Sequence, residues 1–318
     1  MKKYAVLAVC WLSAVAVSGL AAAERQALEA ERELRTVTLD VEVAHKREPV
    51  VGLTAANFRV YENGAPCEVT RAEPAGPASI VLLVENSLHS WRFLNDVRSA
   101  MRGFLKAAPE GKGHSYGLVT YSSKPAVEQT LTTEIERIRE AFAGVDQSAW
   151  GRTDTYDAVY RVIEEMETLP GRRVLIFVGF GYDAFSRHTF GELQRKIESS
   201  NVQVYAIATG SDLRREPLWR QPTPQPPDLR SGETFVHMLA RRSGGRSFCP
   251  DCEAGFADSM RDTMETIERQ YTIEYRRPAP TPPGFQKLKV DAFVIVDDMR
   301  TDFQVRAREG WRIRSAVP

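Results

Sequence analysis

Residues 79–84 read Ser79-Ile80-Val81-Leu82-Leu83-Val84, and Glu85-Asn86-Ser87-Leu88-His89-Ser90 follow directly. A six-residue run that is apolar at both odd and even positions cannot be a half-solvated strand. It fits a strand at the centre of a parallel sheet, covered by helices on both faces. The residues that leave it are a carboxylate, hydroxyls and an imidazole, placed where open parallel sheets hold their ligands, beyond the carboxyl ends of the strands.

Working outward, similar apolar runs recur at Tyr116–Tyr121, Arg173–Val178 and Val202–Ala208. Between them, helical spacing of apolar residues predicts helices over Trp91–Leu105, Tyr156–Met166, Phe190–Ile197, Thr234–Ala240 and Phe256–Ile267. Strands alternating with helices predict an α/β, doubly wound and mostly parallel sheet of Rossmann-like type. Upstream the pattern is different. Val37, Leu39, Val41 and Val43 alternate with polar residues, and Phe58–Glu62, the turn Asn63-Gly64 and Cys67–Thr70 read as a hairpin. Strand patterns return at Tyr271–Arg276, Lys287–Phe293 and Phe303–Ala307. The expected organisation is therefore a β region over 36–75, an α/β domain over 76–270, and β strands over 271–318 that pack beside the first region. The α/β domain is inserted in, or flanked by, a small all-β domain. A proline-rich stretch, Glu216–Pro227, is expected as a surface loop.

Composition narrows the function. The 318 residues carry 42 Lys+Arg against 42 Asp+Glu, and basic doublets are scattered, so a nucleic-acid groove is not expected. Lys2-Lys3, an apolar run from Tyr4 to Leu20 and the small residues Ala21-Ala22-Ala23 form a secretory signal over 1–23, followed by a lead over 24–35. The expected protein is exported, periplasmic or secreted, with no stable membrane span after cleavage. Cys249-Pro250-Asp251-Cys252 is a CxxC motif, expected as a local disulfide between Cys249 and Cys252, with Cys67 left over. A redox pair or half of a metal site are the alternatives at this motif. No nucleophile elbow, phosphate-binding loop or dinucleotide fingerprint is present, so an enzyme, redox or hydrolytic, is the least favoured class.

The order and spacing of VVGLTAANFRVYENG, SIVLLVENSLHS, GRTDTYDAVY, RRVLIFVGFGYDAFS, VQVYAIATG and FQVRAREGW resemble bacterial proteins that carry a von Willebrand factor type A (VWA) domain with flanking β regions. The resemblance spans Thr36 to Arg312. It implies a metal-ion-dependent adhesion site built from Asp-x-Ser-x-Ser, a Thr in a second loop and an Asp after a later strand. Laid onto this chain, Glu85 stands at the first Asp, Ser87 at the first Ser, His89 at the second Ser, and Thr153 at the Thr. Gly179 stands at the last Asp, with Asp183 four residues on. The implied cofactor is a divalent cation, Mg²⁺ or Mn²⁺, in a degenerate site of Glu85, Ser87, His89, Thr153 and Asp183. The alternative is that these hydroxyls cap a helix and satisfy loop amides. The implied partner is a protein, bound without catalysis through Ser90, Arg152, Asp154, Phe180 and Tyr182. The competing reading is a structural or scaffolding module with no metal site, which uses the β domain or another surface.

Overall fold

A computed structural model describes residues 36–46, 48–87, 90–145, 152–215, 229–277 and 282–313. The segments 1–23 and 24–35, Leu88, His89, Gly151 and the proline-rich stretch 216–227 lie outside the described residues. No helix among the described residues is long and apolar enough to cross a membrane.

The strands are β1 (Thr36–His45), β2 (Glu48–Pro49), β3 (Phe58–Glu62), β4 (Ala65–Pro74), β5 (Ala78–Glu85), β6 (Ser115–Tyr121), β7 (Pro125–Thr132), β8 (Arg172–Gly179), β9 (Gln203–Ala208), β10 (Ser247–Phe248), β11 (Tyr271–Arg276), β12 (Gly284–Val296), β13 (Met299–Asp302), β14 (Gln304–Arg306) and β15 (Gly310–Ile313). They form two sheets. One has six strands in the order β10-β9-β8-β5-β6-β7, parallel except for the β6–β7 pair. The period of two along β5 sends Ile80, Leu82 and Val84 into one helical layer, with Val97, Met101, Phe104, Met260 and Met264. Val81 and Leu83 go to the opposite layer, with Val159, Ile163, Leu193 and Leu239. Both faces are dry, as the continuous apolar run requires. The α/β expectation is met.

The second sheet is antiparallel and follows the order β13-β12-β3-β4-β11-β1-β14, with β15 on β12 and β2 on β1. Strands from both ends of the chain interleave: β11 lies between β1 and β4, in the registers Val37↔Tyr275 and Ile273↔Ala72. Asn63 and Gly64 both have positive φ (51° and 86°), the conformation that a tight hairpin matched to strand twist demands. Val41, Val43, Phe58, Ile273 and Tyr275 form its core.

Several elements were not expected. β7 is an edge strand whose exposed side chains, Ala126, Val127 and Glu128 among them, produce no apolar alternation. The helix Ile135–Gly144 buries only Ile138 fully, with Ile135 at the margin. The predicted helix from Trp91 begins instead as a 3₁₀ turn, Ser90–Phe93, before the α-helix Leu94–Ala107.

Candidate functional site

β5 has β6 on one side and β8 on the other, so connections leave in opposite directions at its carboxyl end. This is the switch point at which an open α/β sheet offers a crevice. Glu85 is the last residue of β5 and Gly179 the last of β8.

Glu85 is buried, 2% exposed. Its Oε1 accepts a hydrogen bond from the Ser87 hydroxyl at 2.6 Å. Its Oε2 accepts from the backbone N–H of Phe180 at 2.7 Å and, more weakly, from the Tyr121 hydroxyl at 3.4 Å. Burial, and then the Glu85 carboxylate beside it, push the Tyr121 hydroxyl well above the usual phenol range. Tyr121 therefore stays protonated and able to donate. The Tyr121 hydroxyl also lies 3.4 Å from Thr155 Oγ1, which itself donates to the Tyr182 carbonyl at 2.5 Å. One polar network thus ties together the ends of β5, β6 and β8 and the start of the helix Thr155–Met166.

Asp183 serves that helix. Its Oδ1 accepts from the Tyr156 N–H at 3.0 Å and from the Ser186 hydroxyl at 2.5 Å, while Ser186 Oγ accepts from the Asp157 N–H at 3.0 Å. The orphan amides and positive end of the helix dipole are satisfied from a loop after β8. Asp154 precedes the helix but makes no side-chain cap. Its Oδ1 is buried without a hydrogen-bond partner. Burial, reinforced by Asp183 and Asp157 and opposed by Arg152, raises its carboxyl above the ordinary range. Thr153 is fully buried, and its carbonyl accepts from the Ala184 N–H at 3.1 Å.

The described residues do not present a cation site. Both Glu85 oxygens face protein donors, Gly179 has no side chain, and Asp183 is committed to a helix N-terminus. No group of three or more His, Cys, Asp or Glu converges among the described residues. A Mg²⁺ ion needs oxygens directed at one octahedral centre, and this arrangement does not fit it. His89 lies outside the described residues.

The contact residues also divide differently from expectation. Phe180 is buried: its ring stacks on Phe93 at 5.3 Å, and Leu213 and Tyr182 complete the cluster. Asp154 is buried as well. Neither offers a surface, Phe180 because it packs into that cluster and Asp154 because it is buried. Phe185 does so instead, 54% exposed, with the Arg152 guanidinium 4.7 Å from its ring centroid. Arg152 is exposed and stands 3.7 Å from Asp154. Ser90 lies in the 3₁₀ turn after β5. Asp96 was also missed: Oδ2 accepts from the N–H groups of Gly210 and Ser211 at 2.8 and 3.0 Å, and Oδ1 from the Ser211 hydroxyl at 2.7 Å. It fixes the loop after β9 to the helix after β5, and only its place on the apolar side of that helix could have signalled this.

The expected Cys249–Cys252 bridge is not formed; Cys67, Cys249 and Cys252 are free thiols. Cys249 packs against the helical layer, with its Sγ 4.0 Å from His237 Nε2, whereas Cys252 stands exposed at the N-cap of the helix Glu253–Glu268.

Residues 80–181 match the von Willebrand factor type A domain family. No curated protein matches the chain in sequence. Among solved structures, an aerotolerance-related membrane protein of Bacteroides fragilis is similar at 12% identity and a TM-score of 0.44, over 60% of this chain and 99% of the other. BatB of Bacteroides thetaiotaomicron is similar at 13% identity and a TM-score of 0.45, over 60% and 98%. Proximal thread matrix protein 1 from the mussel byssus, with a zinc-occupied MIDAS motif, is similar at 12% identity and a TM-score of 0.43, over 61% and 49%. The matched segment begins in β5 and ends just beyond β8, the two strands whose ends build the site, and the α/β unit of this chain is a von Willebrand factor type A domain.

Proposed function

We propose that this chain is an exported, non-enzymatic binding protein that offers the strand-end face of its VWA domain to a protein partner without a bridging cation. The observation that carries the reading is the Arg152–Phe185 pair. Phe185 is the one aromatic among the large apolar side chains that the described residues expose. Arginine and aromatic residues are enriched at protein interfaces, where they supply area and orientation at low entropic cost. Glu85 and Asp154 are buried, whereas Arg152 and Arg187, which flank Phe185, are exposed, so the exposed charge is basic and selects an acidic patch on the partner.

A second reading, a scaffold that uses the β domain, is favoured by the β12–β13 hairpin, which exposes Ile295, Val296 and Met299. Photo-crosslinking residues placed at 185 and at 295 in separate full-length chains separate the two. A protein adduct formed from 185, lost on Arg152→Glu and retained in EDTA, is the expected result. Adducts only from 295 transfer the function to the β domain, and loss of the 185 adduct in EDTA restores the cation.

A further inference from the structure

We infer that Glu85 and Gly179 are a coupled pair, in which a protein carboxylate does the joining of strand ends that a bound cation would otherwise do. β5 and β8 are parallel neighbours in the register Val84↔Val178, so the next residues, Glu85 and Gly179, lie side by side. A Cβ added at Gly179 would stand 2.7 Å from Glu85 Oε2 and 2.8 Å from Glu85 Cβ. The second atom is next to the backbone and cannot swing away. Gly179 is therefore the position that admits the Glu85 side chain, and a carboxylate at 179 is incompatible with Glu85 as it lies.

The length of Glu85 matters equally. One methylene more than aspartate lets its oxygens span from the Ser87 hydroxyl, on the loop after β5, to the Phe180 N–H, on the loop after β8. A buried carboxylate persists only where donors surround it, and charge-assisted bonds to amide and hydroxyl are the strong ones. Here the donors come from the ends of three strands, because Tyr121 closes β6. The space and the electrostatic complement that a divalent ion would need are already filled. The strand-end loops hold one arrangement, whether or not divalent ions are present. This stands apart from the partner reading, because it concerns the free protein.

The test is a double-mutant cycle on the full chain, with Glu85→Asp, Gly179→Asp and the double variant compared by urea unfolding in EDTA and in millimolar Mg²⁺ or Mn²⁺. Calorimetric titration of both ions runs alongside. Wild type is expected to give no binding heat and one unfolding midpoint in all three solutions. Gly179→Asp is expected to lose stability, and the double variant to recover at least roughly tenfold in the folding equilibrium over the sum of the single losses. If Gly179→Asp does not fold, Gly179→Ala carries the same test with a single methyl added, and is expected to unfold at lower urea than wild type. A wild-type midpoint that rises with Mg²⁺ or Mn²⁺, an additive cycle, or Gly179→Ala as stable as wild type would each overturn the pairing.

Discussion

The guanidinium carbon of Arg308 lies 3.3 Å from the ring centroid of Trp311, and both side chains are buried. From that stacked position Arg308 donates to the carbonyls of Ser200 at 2.6 Å, Ile197 at 3.1 Å and Glu198 at 3.0 Å, and to Gly310 at 2.9 Å. The first three lie at the C-terminal end and C-cap of the helix Phe190–Ser199, where Ile197 also accepts from the Ser200 N–H. Burial draws the Arg308 proton affinity down to about 9, which still leaves it charged at neutral pH. A cation from the C-terminal strands thus closes a helix of the VWA domain.

Arg308→Ala removes the buried donor from the Ser200 and Glu198 carbonyls, leaves Ile197 with only the Ser200 N–H, and opens a cavity over Trp311. The expected loss is about 3 kcal/mol, read as a lower urea midpoint. Arg308→Lys recovers little of it, because a single ammonium cannot address carbonyls on both sides of a planar fork. An unchanged midpoint for Arg308→Ala would show the contact to be idle.

Asp154 predicts the opposite sign. Its carboxyl is raised by burial, so the folded state holds the proton more tightly than the unfolded chain. As pH rises through the unfolded value and then the folded one, stability falls, and above the folded value the full penalty applies. Asp154→Asn is expected to stabilise the protein by about 1 kcal/mol at pH 7, of the order of one unmade buried hydrogen bond, and to make no difference in acid. Thermal unfolding at the two pH values checks both the gain and its disappearance.

Asp157 behaves in the reverse way. Burial alone would raise its carboxyl, but the N–H groups of His188 and Arg187, together with the His188 ring at 2.7 Å, outweigh it and lower the value. Its contribution is fully present above the ordinary value of 3.8 and is lost as pH falls through the lower folded value. Asp157→Asn should cost about 1 kcal/mol at pH 7 and nothing once wild type is protonated too. Parallel acid titrations that never converge would contradict this.

The free thiols differ in reach. Cys252 is exposed, whereas burial, reinforced by Glu233, pushes the Cys249 thiol up and disfavours its thiolate. Alkylation of the native protein, followed by peptide mass spectrometry, is expected to label Cys252 at least roughly tenfold faster than Cys249. Equal rates, or no label at either, would mean that the pair is packed or bonded differently.

Legibility in the sequence followed burial. β5 and β8 were readable because both faces of each are covered, and Ile80 through Val84 had to be apolar throughout. β7 was not, because an exposed edge strand imposes no pattern on Val127 or Glu128. Glu85 was recognisable as the residue at the strand end, and Ser87 as its neighbour, but the direction of the carboxylate was not. That direction depends on Gly179 and Phe180, far along the chain, and on the adjacency of β5 and β8. Asp183 carried the same ambiguity. A carboxylate near a strand end suits a cation or a helix N-terminus, and only the approach of the Tyr156 N–H decides between them. Phe180 and Phe185 sit on one loop with the same chemistry, yet one packs under it and the other faces out.

The interleaving of β11 between β1 and β4 has a consequence for the order of assembly. β1 emerges early in synthesis, but its partner β11 follows the whole VWA domain, and β14 follows later still. The β3–β4 hairpin can form locally, while the inward face of β1, with Val41 and Val43, has no sheet to join. Contacts so distant along the chain are slow to form, and unpaired apolar strands are open to wrong partners meanwhile. A VWA domain that folds first brings the two flanks near one another and shortens the loop that must be closed. The β1–β11 pairing therefore ties completion of the outer sheet to the unit between them, and slowly folding variants of that unit are expected to leave β1 unpaired and open to association between chains.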